Sequence, residues 1–126
     1  MSRPNIVVMT THDSGRHLGC YQTPGVHTPH LDRFAAEGVR FARSFCNAPQ
    51  CSPSRAALFT GRYPHSNGVL GLTHYPFFWD LHESERHLAD RLLEAGWYTA
   101  VMGGAHESHT IERRGFSEVI PGGATA

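Results

Sequence analysis

The chain has 126 residues, the size of one ordinary domain, and is 40% hydrophobic and 17% charged, a balance that suits a soluble globular protein and names no activity. Eleven basic residues, every one an arginine, stand against eleven Asp plus Glu; no basic footprint for nucleic acid or an anionic membrane is expected, and lysine chemistry is excluded. Any anion must be met locally, by arginine forks and by the ten histidines.

In chain order, "NIVVMTT" (residues 5 to 11) is a short β-branched run bounded by Pro4 and by Asp13, Ser14 and Gly15. It predicts a strand buried on both faces, with residues 12 to 19 as the loop at its C-terminal end. "HTPHLDRFAAEG" predicts a helix with Thr28 as N-cap, Pro29 first, Leu31, Phe34 and Ala35 on one face, and Gly38 as the stop. "VRFARSF" alternates apolar and polar residues and is readable as a strand. "CSPSRAALFTG" repeats the helix grammar with Ser52 as cap, Pro53 first and Gly61 last.

Residues 62 to 84 are rich in Pro, Gly, Asn, His and aromatics without a period and predict a long functional or covering loop. "SERHLADRLLEAGW" predicts an amphipathic helix with Leu88, Leu92 and Leu93 apolar and Gly96 closing it. "YTAVMGG" predicts a second buried strand with His106 just past its end, and "RRGFSEVIPGGATA" reads as loop. Strands and helices alternating in this way, with polar residues after the strand ends, indicate α/β organisation. No run reaches the roughly twenty apolar residues that span a bilayer. The apolar stretch Ile6 to Met9 is too short for a secretory signal, so the chain reads as cytoplasmic as written, or periplasmic or secreted if the segment lacks its signal.

Cys20, Cys46 and Cys51 contain no C-x-x-C pair, which argues against a disulfide framework or a zinc knuckle. Cys20 and Cys46 are expected to be small buried thiols. Cys51 differs, because a helix N-terminus lowers a thiol's pKa and favours an anion, and Arg55 stands one turn further on. His27, His30, His65, His74, His82 and His87 share no ligand spacing with the cysteines and are read as solvated or structural, with His65 and His109 as candidate rim residues.

The stretch "CSPSR" followed by "AALFTGRYPHSNGV" resembles the signature of the type I, formylglycine-dependent sulfatases of the alkaline-phosphatase-like superfamily. "RPNIVVMTTHDSGRHLGCY", "TPHLDRFAAEGVRF" and "LADRLLEAGWYTAVMGG" are similar to successive family segments, in the family's order. The resemblance implies an alkaline-phosphatase-like α/β fold with a mostly parallel sheet flanked by helices, of which residues 1–126 are the N-terminal segment of a single catalytic domain. It implies that Cys51 is oxidised to formylglycine, whose hydrate attacks the sulfur of a sulfate ester or sulfamate. Arg55 then stabilises the hydrate and the transferring group, and His106 bonds to the hydrate or to a sulfate oxygen. It also implies a divalent metal, calcium above others, held by Asp13 with His12 and the group made from Cys51. The implied partners are a sulfated small molecule or sugar and a formylglycine-generating maturation enzyme, with neither nucleic acid nor membrane among them.

Two positions depart from the family pattern. His12 stands where a first aspartate is usual, and imidazole is a poor calcium ligand, so either the site is built from fewer protein oxygens or the metal is a softer one such as manganese or zinc. Gly104 in "GGAH" stands where the family's Gly-Lys-x-His block has its lysine, while His106 is retained. Sulfatases of this type are several times longer than this chain, so the segment alone is expected to be inactive. The alternatives are a phosphodiesterase or phosphonate monoester hydrolase with the same nucleophile, or a truncated inactive domain.

Overall fold

The computed structural model describes residues 3–122, which fall into two compact units divided between Phe45 and Cys46. In the first unit, a single 3-10 turn at Gly19–Tyr21 precedes helix α1, Pro29–Glu37. Pro29 opens α1 because its fixed φ suits the first helical position, where no N–H is needed. Thr28 does not cap the helix in the usual way; its hydroxyl donates to Asp32 Oδ1 at 2.9 Å and accepts the Gly19 N–H at 2.8 Å. That pair of bonds ties the turn to α1. A side chain at Gly19 would run into the Asp32 carboxylate, so the close approach requires glycine.

The predicted strand at residues 5 to 11 does not form, and Val7 is 88% exposed. Residues 39 to 45 form no strand either. A strand exists only through its ladder to a neighbour, and β-branched composition does not supply one.

The second unit contains α2 (Cys51–Thr60), α3 (Pro64–Asn67), α4 (Leu88–Glu94), β1 (Ala100–Gly103), a 3-10 turn (Ile111–Arg113) and β2 (Glu118–Pro121). The two strands are parallel, with Ala100 opposite Glu118 and Gly103 opposite Pro121. Residues 104–117 form the crossover that parallel pairing demands. β2 lies in the segment predicted as loop: "EVIP" is too short for a period, and pairing with β1 makes it a strand. Residues 123–126 of that predicted loop lie outside the described residues. The entry to β2 is fixed at Thr99, whose carbonyl accepts the N–H groups of Ser117 and Glu118 at 2.8 and 3.1 Å. The predicted burial of β1 is not met, since Met102 is 78% exposed.

Helix α2 begins one residue before the predicted cap. Gln50 is the N-cap and Cys51 the first helical residue, while Gly61 ends the helix at φ +69° with its N–H on the Ala57 carbonyl. Ser52 is inside the first turn because its hydroxyl serves another partner, the N–H of Thr73 at 3.2 Å. The 62–84 stretch holds α3 and then crosses to α4, whose N-cap is His87. Among the three predicted leucines of α4 none is buried, and Ala89 is the residue it places inside.

Ala56, Val69 and Leu81 form the buried apolar cluster. Each residue of valine or leucine size contributes about 1.5–3 kcal/mol by burial. Asn67 sits beside this cluster fully buried, its side-chain amide donating to the Arg62 carbonyl at 3.2 Å and its Oδ1 accepting the Val69 N–H at 2.9 Å. The conformation of "RYPHSNGV" is therefore held by an internal polar network. Arg114 is buried as well and donates to the Leu81 carbonyl at 3.1 Å.

Candidate functional site around Cys51

The start of α2 carries the site. Cys51 is half-buried, and its Sγ lies within 4.8 Å of a ring nitrogen of His106. Pro53 has no N–H and Ser54 N–H already bonds the Gln50 carbonyl at 3.1 Å, leaving the N–H groups of Cys51 and Ser52 as the helix-end donors. The partial positive charge of the helix end favours an anion at this point.

Arg55 stands four residues further along, which puts it on the same helix face as Cys51. Its Nη1 donates to the Gly104 carbonyl at 3.2 Å. That bond spans from α2 to the residues just beyond β1 and occupies one of the five guanidinium donors. Among the described residues no second bond engages the fork, so it can also turn a donor to an oxyanion beside the helix end.

The loop after β1 places His106. Gly103 turns the chain at φ +96°, and a Cβ on Gly104 would come 3.2 Å from His106 Nε2. The imidazole therefore lies against the face of Gly104 that a side chain would occupy. The His106 carbonyl accepts the Thr73 hydroxyl at 2.9 Å. Behind it, Glu107 and Ser108 are buried, and Glu107 Oε1 lies 3.7 Å from His87 Nε2. The His87 ring is packed between Phe59 and Phe116 at 5.0 and 5.3 Å centroid separation.

In the first unit, His12 and Asp13 form their own pair, with Nδ1 3.1 Å from Asp13 Oδ2. Asp13 adopts φ +52°, a left-handed turn conformation that aspartate tolerates, and both side chains are exposed. The cysteines also sort differently from expectation: Cys20 is partly buried, but Cys46 is exposed. Cys46 precedes α2 in a stretch without regular structure.

Among the other histidines, His65 stacks on Tyr63 at 5.7 Å and His109 pairs with Asp80 at 3.2 Å. His74 stands edge-on to the His106 ring at 6.1 Å, so a residue read as solvated or structural lies next to the site. Sequence reasoning gave Ser52 only a capping role and did not find its contact with Thr73. They are 21 residues apart, and two hydroxyl residues at that spacing carry no signature.

The family model for sulfatases matches residues 4–125. The chain belongs to the sulfatase family. Human N-acetylgalactosamine-6-sulfatase is 37% identical over 128 residues, covering 91% of this chain and 24% of that protein. Canine arylsulfatase H is 40% identical over 121 residues, covering 90% of this chain and 22% of that protein. Human arylsulfatase D is 35% identical over 120 residues, covering 90% of this chain and 20% of that protein. The chain thus spans about a quarter or less of these curated relatives. Its helices and small parallel sheet are consistent with the N-terminal α/β part of the alkaline-phosphatase-like sulfatase fold. Within this sulfatase segment, Cys51, Arg55 and His106 are drawn together by α2 and the loop after β1.

Proposed function

We propose that the segment carries the nucleophile side of a sulfuric ester hydrolase, with Cys51 the precursor of formylglycine. The supporting observation is the triple arrangement at one helix end: Cys51 as first residue of α2, Arg55 one turn along, and a His106 nitrogen within 4.8 Å of Sγ. A maturation enzyme converts the thiol to the aldehyde, whose hydrate supplies the oxygen that attacks sulfur. Arg55, anchored on the Gly104 carbonyl, meets the charge of the transferring sulfuryl group as a fixed cation. His106 takes or returns a proton at its ring nitrogen nearest Cys51. The substrate is a sulfated small molecule or sugar.

Metal assistance belongs to the same reading. The carboxylate of Asp13 is a hard oxygen donor suited to calcium, and His12 contributes a nitrogen better matched to a softer ion. One carboxylate falls short of the six to eight oxygens calcium takes, so the remaining ligands come from outside these two residues. A bound cation would neutralise charge on the sulfate oxygens.

The test is hydrolysis of 4-nitrophenyl sulfate by the full reading frame co-expressed with a formylglycine-generating enzyme. Activity that disappears in Cys51→Ala supports the reading. Activity retained in Cys51→Ala, or faster turnover of an aryl phosphonate monoester than of the sulfate, contradicts it.

A further inference from the structure

We propose that Thr73 is a positioning residue that sets the approach of His106 to the nucleophile at Cys51; this rests on the sulfatase reading above. Thr73 is 4% exposed and Ser52 is 0% exposed, so water does not replace either hydroxyl's partners. The Thr73 hydroxyl donates to the His106 carbonyl at 2.9 Å. Having given its one proton there, its oxygen acts as acceptor toward the Ser52 hydroxyl at 3.4 Å. The Ser52 oxygen in turn accepts the Thr73 N–H at 3.2 Å. The result is a directed relay from Ser52 to Thr73 to the backbone of His106.

Each end of that relay adjoins the chemistry by covalent bonds. Ser52 is bonded to Cys51 in the first turn of α2, and the carbonyl that Thr73 holds belongs to the residue whose imidazole faces Sγ. Three hydrogen bonds, two of them buried, thereby join two elements that are far apart in sequence. The Arg55 bond to Gly104 ties the same elements on the exposed side, but it draws on the cation needed for the anion. Thr73 has no such second duty. A misplacement of about 1 Å at a reacting group costs on the order of 10²-fold in rate, so the relay's effect belongs to turnover more than to affinity.

Thr73→Val keeps the shape and removes the hydroxyl, while Thr73→Ser keeps the hydroxyl. In the full reading frame, matured and normalised to formylglycine content by mass spectrometry, Thr73→Val is expected to lower kcat by about 10- to 100-fold. KM should stay nearly constant, and Thr73→Ser should recover most of the loss. Equal kcat per formylglycine in Thr73→Val and wild type overturns the proposal, even if melting temperature falls. A second measurement does not depend on hydrolysis: in the unconverted protein, iodoacetamide alkylation of Cys51 is compared with that of the exposed Cys46. The ratio should rise several-fold in Thr73→Val and stay at the wild-type value in Thr73→Ser; an unchanged ratio in both contradicts the relay. Inactive wild type with converted Cys51 counts against the sulfatase reading, and the alkylation ratio still decides the role of Thr73.

Discussion

Asn67 and Gly68 do at the residue scale what the motif letters alone leave unexplained. Asn67→Ala strands the buried Val69 N–H and removes the bond to the Arg62 carbonyl, with an expected loss of about 2–4 kcal/mol measured by chemical denaturation. Gly68 sits at φ +95°, and a Cβ there would come 3.0 Å from the Asp80 carbonyl oxygen, so Gly68→Ala should cost more than about 1 kcal/mol. These two positions are structural. Arg55 is different, because its planar fork serves the Gly104 carbonyl and leaves parallel donors for an anion. Arg55→Lys should leave the melting temperature nearly unchanged and lower kcat by roughly 10²-fold. That Cys51 and Arg55 share a helix face was legible in the sequence, because one helical turn separates them. His106 was legible from its place after a strand, whereas Ser52, Thr73 and His74 depend on contacts between distant segments that no local pattern encodes.

The helices were readable at the element scale and the strands much less so. Proline at the start and glycine at the end mark helices through backbone geometry, and these signals placed α1 and α2 within a residue or two. Strand formation depends on a partner, so "NIVVMTT" forms none while the four residues Glu118–Pro121 pair with β1. Helix α4 shows which of the two readings, solvated or structural, holds for His87: its Nδ1 accepts the Ala89 N–H while Asp90 accepts the His87 N–H, a structural cap. Replacing His87 by alanine removes the cap and the ring between Phe59 and Phe116, with an expected loss of about 3 kcal/mol. Arg86 hydrogen-bonds Glu94 across the same helix and holds its carboxyl below the ordinary value. A depressed carboxyl stabilises above its unfolded value and loses that contribution as pH falls through the folded one. The melting-temperature gap between wild type and Glu94→Gln should therefore narrow on acidification below the usual carboxylate range, and a gap that widens contradicts this.

At the scale of the whole molecule, the second unit has a small core centred on Ala56, Val69 and Leu81, while Tyr75, Phe77, Phe78 and Met102 stand exposed. Apolar surface of this kind calls for covering protein. The isolated segment should therefore bind a hydrophobic dye, and a segment that binds none contradicts that expectation. The central claim concerns one atom, the sulfur of Cys51. Its most direct test is the mass of the tryptic peptide containing residue 51 after co-expression with a formylglycine-generating enzyme. The expected result in wild type is loss of the thiol sulfur and two hydrogens and gain of one aldehyde oxygen, with sulfate ester hydrolysis rising in proportion. An intact thiol in protein that hydrolyses sulfate esters would contradict the account.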